Sequence, residues 1–137
     1  MPNEPIDSRT VLVDTSVWLG FIRGHAVAVS LMERLTHRHG APGIAVCGTV
    51  LQEVMQGSRN ERELAELRTR LSIWEFEPET PEDFDTAAGI YARLRWRGRT
   101  VPAQDCLVAA VALRTNRSLA AHDRHFDEIS GLKLIKV

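Results

Sequence analysis

Short apolar runs alternate along this chain with longer stretches of helical spacing, and that alternation restricts the folds open to it. The runs TVLVD (10–14), GIAVC (43–47), IWEF (73–76), SLAAH (118–122) and LKLIKV (132–137) read as strands. Between them, TSVWLGFIRG (15–24), AVAVSLMERLTHRHG (26–40), TVLQEVMQG (49–57), RNERELAELRTRLS (59–72), PEDFDTAAGIYARLRWRG (81–98) and QDCLVAAVALRTN (104–116) read as helices. Thr49 and Gln52 have the spacing of a capping box for the third of these. Consecutive strands joined by helices pair in parallel through right-handed crossovers. The chain therefore predicts an α/β fold, a three-layer sandwich with a mostly parallel central sheet flanked by helices. In such sheets, sites form beyond the carboxyl ends of the strands.

The chain has 137 residues, which suits one domain over 1–137 better than two. Residues 1–9 read as a loose tail. Apolar residues make up 44% and charged residues 26%, enough for a core without staples. The net charge of −1 supplies no global attraction to nucleic acid or membranes, so any polyanion must be met by a local patch. Cys47 and Cys106 lie far apart in apolar surroundings and read as core residues of a reduced, cytoplasmic protein. The polar start MPNEPIDSRT lacks the apolar segment of a signal peptide. No apolar run approaches the ~20 residues of a membrane helix.

Four carboxylates interrupt otherwise apolar elements. Asp14 ends the first strand, Glu53 sits inside the helix after the second, Asp105 opens the apolar helix, and Asp123 follows the fourth strand. Each has a structural reading. Asp14 could cap the next helix, a contribution of ~0.5–2 kcal/mol. Asp105 could complement a helix dipole, and Asp123 could cap a turn. Glu53 could be a rim residue. A parallel sheet would nevertheless bring all four to one crevice, where carboxylates repel one another and resist desolvation. No nearby lysine or arginine partners all four. A hard divalent cation, Mg²⁺ or Mn²⁺, is the natural counter-charge. The reaction that such a centre supports is phosphodiester hydrolysis, in which the metal activates water and neutralises the phosphate. The absence of a glycine-rich phosphate loop argues against a nucleotide triphosphatase.

The segments VLVDTSVW, TVLQEV, DCLVAAVAL and AAHDRHFDEISGLKLI, in this order, resemble the PIN-domain ribonucleases, and most closely the VapC toxins of prokaryotic toxin–antitoxin pairs. The resemblance covers nearly the whole chain. It implies a PIN-type parallel sheet, dependence on Mg²⁺ or Mn²⁺, endonucleolytic cleavage of RNA, a homodimer, and inhibition by a VapB-like antitoxin. On this reading Asp14, Glu53, Asp105 and Asp123 form the catalytic quartet, with Asp14, Asp105 and Asp123 on the metal. Ser16 is the supporting hydroxyl. The chain departs from the pattern at Ala121, where the family often has Thr or Ser, and at His125, where it often has another acid.

The stretch RLRWRGR carries Arg93, Arg95, Arg97 and Arg99 around Trp96. From Arg93 to Arg124 there are seven arginines and two acids, a basic segment in a near-neutral chain. It reads either as a solvated helix end or as a contact to an RNA backbone. The histidines in HRH (37–39) and HDRH (122–125) lack a third convincing ligand for zinc. An antitoxin helix is expected along the surface of residues 15–35, with Trp18 and Leu31 as its contacts. The rival readings are a nuclease of the same fold in RNA processing and a non-catalytic RNA-binding domain. A phosphatase would want an acid at position 16, which is Ser16.

Overall fold

The computed structural model describes residues 11–122 and 124–137; the expected tail at 1–9 and Asp123 lie outside the described residues. Five strands form one sheet: β1 (Val11–Val13), β2 (Ile44–Cys47), β3 (Glu75–Glu77), β4 (Ser118–Ala121) and β5 (Leu134–Lys136). Six helices connect them: α1 (Thr15–Ile22), α2 (Ala26–His39), α3 (Gly48–Met55), α4 (Glu61–Leu71), α5 (Pro81–Trp96) and α6 (Ala103–Thr115). The strand order is β3-β2-β1-β4-β5, and every pairing is parallel. The chain winds outward from β1 through β2 to β3, then returns to the other side of β1 for β4 and β5. The order therefore reverses between β1 and β4, and a parallel sheet opens a crevice at such a point.

β1, β2 and most of β4 are buried, which is why they read as unbroken apolar runs rather than alternating ones. α6 is buried from Val108 to Ala112 and packs against both α5 and β4. Its near-uniform apolarity reflects this middle position. Cys47 and Cys106 are free and buried, and burial pushes the Cys47 thiol up to about 12. Among the described residues, no helix is long and apolar enough to cross a membrane.

Three details differ from the sequence-based expectation. Strand β3 begins at Glu75, so Ile73 and Trp74 precede it, with Ile73 exposed. Helix α3 begins at Gly48, which puts Thr49 inside the helix instead of at its cap. The Thr49–Gln52 capping box therefore does not form, and Gln52 pairs with Gln56 at 3.4 Å. Trp18 and Leu31 are core residues. Trp18 is fully buried, edge-on to Trp74 at 5.3 Å, and Leu31 is buried on the inner stripe of α2. Neither is open to a partner helix, because the apolar spacing that made them conspicuous serves this chain's own packing.

Helices α5 and α6 form an antiparallel hairpin whose open end, opposite the connection 97–102, is fixed by a buried acid. Asp83 accepts the Thr80 amide at 2.8 Å in a true capping box and accepts Arg114 Nε at 2.8 Å. Burial alone would raise this carboxyl. The Arg114 guanidinium and the Thr80 amide outweigh it, and the group lies below its ordinary range. A depressed carboxyl stabilises the fold above its unfolded pKa of about 3.9 and loses that contribution as pH falls through the folded value. Asp83→Asn should therefore cost about 1–3 kcal/mol at neutral pH, with a gap that closes below about pH 4, as read by urea unfolding across pH.

Candidate active site

The crevice between β1 and β4 is built outward from Asp14. The Asp14 amide donates to Ala120 O at 2.9 Å, so the residue is still held by the sheet although it lies past the last strand position. Its backbone is extended and its carbonyl accepts from the Val17 and Trp18 amides, so it occupies the N-cap position of α1. The side chain makes no capping hydrogen bond. Instead Oδ2 accepts the Ser16 hydroxyl at 3.1 Å. The carboxylate is buried, at 7% exposure. Burial pushes its pKa above the ordinary range. The Thr15 amide and the Ser16 hydroxyl offset part of the shift, and the neighbouring charge of Glu53 adds to it.

Glu53 reaches the same place from α3. It is half-buried, and its Oε1 accepts the Thr15 hydroxyl at 2.6 Å. Thr15 thus ties the first turn of α1 to the carboxylate beside Asp14. Asp105 enters from the first turn of α6, with its Oδ2 3.1 Å from Nδ1 of His125. His125 stands in the short 3₁₀ turn Arg124–Glu128 that follows β4. Gln104 Nε2 donates to Thr49 Oγ1 at 3.0 Å and holds the start of α6 against the start of α3. Asp123, the fourth sequence candidate, lies outside the described residues, two positions beyond the end of β4.

The sequence reading missed Glu79. This residue follows β3 at the same edge of the sheet, and it accepts the Gly48 amide at 3.0 Å and the Thr49 amide at 2.7 Å. It caps α3 from a distance of thirty-one residues in sequence. A Cβ at Gly48 would stand 2.5 Å from its Oε1, so the glycine keeps the cap in reach. The available signal was positional, a carboxylate just after a strand at the functional edge. His125 was noticed as a departure from pattern and as a weak zinc candidate, and it is the residue that faces Asp105.

The donor set suits a hard cation. Asp14 and Glu53 are oxygen donors, and among the described residues no lysine or arginine pairs with either. Among the described residues no three His, Cys, Asp or Glu side chains converge to hold an ion by themselves. Mg²⁺ and Mn²⁺ commonly take one or two carboxylates and keep several waters, so two acids and an open crevice satisfy them. A cleft of about 490 Å³ opens beside Ser16 and is lined also by Arg23, His25 and His122. A second cleft, of about 480 Å³, runs between α1, α3 and α4 over Leu19, Ile22, Val54 and Leu67.

The PIN domain family matches residues 11–132. The chain belongs to this family. It is similar to Ribonuclease VapC11 of Mycobacterium tuberculosis, with 32% identity over 126 residues that cover 89% of this chain and 92% of that one. Its fold is similar to VapBC2 from Rickettsia felis bound to a promoter DNA fragment, at a TM-score of 0.79 and 22% identity, covering 93% and 98% of the two chains. The DNA-bound VapBC of Salmonella typhimurium gives a TM-score of 0.78 at 19% identity, covering 93% and 97%.

A raised carboxyl stabilises the fold below its unfolded pKa and loses that contribution as pH rises through the folded value. Without divalent ions, Asp14→Asn should melt at or above the parent at pH 7, and its advantage should shrink toward about pH 4. A lower melting temperature would return Asp14 to a capping role.

Proposed function

We propose that this PIN domain is a VapC-type endoribonuclease toxin that hydrolyses RNA phosphodiester bonds with Mg²⁺ or Mn²⁺ and is restrained by a VapB-like antitoxin. The observation that carries the reading is the proximity of Asp14 and Glu53 at the strand reversal without a lysine or arginine on either, while Asp105 opens α6 opposite His125. A structural acid acquires a partner, as Asp83 and Glu79 do here. The similarity to Ribonuclease VapC11 supports the RNA-cleaving activity.

Asp14 and Asp105 would hold the ion, with Asp123 completing the set. The ion supplies an activated water and neutralises charge on the scissile phosphate. Ser16 fixes one Asp14 oxygen by hydrogen bonding. Glu53, pinned by Thr15, would orient a water and accept its proton. Arg93, Arg95, Arg97 and Arg99 are all exposed at the end of α5 and would meet the RNA backbone. The antitoxin's helical segment would lie in the cleft over Leu19, Ile22 and Leu67 rather than on Trp18 and Leu31. A basic side chain from it would enter among the acids and replace the metal's charge. The protein would act as a homodimer.

The test is cleavage of RNA by the purified chain with and without divalent ions. Asp14→Asn and Asp105→Asn should each lower the rate at least about 100-fold. Mg²⁺ or Mn²⁺ should raise the melting temperature of the parent and fail to raise that of Asp14→Asn. Wild-type cleavage by either variant would overturn the reading.

A further inference from the structure

Trp96 is the most exposed large apolar side chain among the described residues, at 74%, and the fold makes no use of it. The other two tryptophans are packed: Trp18 lies in the core and Trp74 lies edge-on to Trp18 and Phe21. Trp96 stands on the last turn of α5, where Leu94 faces inward and is buried. Two residues further on is about 200° around the helix, so Trp96 points away from the core. The end of the helix is firmly built. Gly98 takes a left-handed backbone at φ 77°, and the Arg99 amide returns to Leu94 O at 2.9 Å. The indole therefore stands on a fixed turn and not on a loose loop.

This turn is joined to the rim of the acid crevice. Arg99 pairs with Glu128 at 2.6 Å, and Glu128 belongs to the same 3₁₀ turn as His125, which faces Asp105. Val101 is buried and anchors the connection into α6. Around the indole, Arg93, Arg95, Arg97 and Arg99 are exposed, and no acid occurs from Arg93 to Gln104. The Arg95 guanidinium leans back toward the Tyr91 ring, 5.8 Å from its centroid, along the helix.

We propose that Trp96 is a stacking platform for an unpaired base of single-stranded RNA flanking the cleaved phosphate, with the surrounding arginines holding the adjacent backbone. The proposal rests on the ribonuclease reading above and assigns it a substrate form, a strand whose bases are splayed from pairing. An exposed aromatic face amid cations is the arrangement that single-stranded nucleic acid uses, because every base offers a π-face and every linkage a negative charge. The charge pattern disfavours a second copy of this chain as the occupant. A two-fold contact through this patch would set the same arginines against themselves.

The experiment measures binding of a fluorescent single-stranded RNA oligonucleotide by the full chain with divalent ions chelated, the oligonucleotide being checked intact by electrophoresis. Trp96→Ala should weaken binding roughly 5- to 100-fold, the range of one lost base stack, while Trp96→Phe should stay within about 3-fold of the parent. The slope of affinity against salt should be unchanged in Trp96→Ala, since no phosphate contact is lost. Arg95→Gln should flatten it by about 0.7. Binding of RNA should quench the indole emission of the parent and leave that of Trp96→Ala unaffected. If Trp96→Ala binds as tightly as the parent, the platform is overturned and the ribonuclease reading stands. If the parent binds no RNA, both fall. If the loss in Trp96→Ala accompanies a change of sedimentation, or Trp96→Phe does not restore binding, Trp96 serves a protein contact and the platform is overturned.

Discussion

A carboxylate is held out of water at the one place in the sheet where the strand order reverses, and much of the molecule answers to that. Asp14 cannot move away from the crevice, because its own amide is bonded to Ala120 in the neighbouring strand. It is not relieved by the helix that it precedes, because its side chain makes no capping bond. Burial and the charge of Glu53 both raise its pKa. A fold that selects for stability alone would replace it with Asn or Ser. On the proposed reading, the desolvation of Asp14 marks a group kept for its charge.

The acids of this chain divide by the kind of partner they acquire. Glu79 spends both oxygens on two backbone amides at the start of α3, and Asp83 spends its oxygens on the Thr80 amide and on Arg114. These fix α3 and the α5–α6 hairpin, which in turn present Glu53 and Asp105 at the crevice. The structural acids thus hold in place the elements from which the proposed catalytic ones project. Gln104 and Thr15 perform the same service by hydroxyl and amide bonds between elements.

The fold was legible in the sequence because its strands are buried in a parallel sheet and its helices carry clear stops. The site was partly legible for the same reason: an acid that interrupts an apolar run at the end of a strand has few structural uses. What was not legible depended on side-chain partners distant in sequence. The cap of α3 comes from Glu79 rather than from the local Thr49 and Gln52, since the helix starts one residue earlier than the local pattern suggests. Trp18 and Leu31 could not be sorted from surface residues, because core packing and a partner groove call for the same apolar spacing on a helix. Burial alone separates them.

The acid crevice and the arginine-bearing turn place opposite demands on one substrate. A crevice of carboxylates repels a polyanion, and at physiological salt that repulsion is screened over roughly 8 Å. Attraction from cations scattered over the surface would be screened as well, so the cations must sit close to the rim. The α5–α6 hairpin meets this requirement by construction. Its open end is locked by Asp83 and Arg114, and its closed end carries the arginines on one side of a short connection and Asp105 on the other. The pairing of Arg99 with Glu128 then docks that connection against the turn that bears His125. On the proposed reading, substrate capture and an acid of the catalytic set would thereby be mounted on a single rigid unit, and the near-zero net charge of the chain would leave that unit as the place where RNA is drawn in.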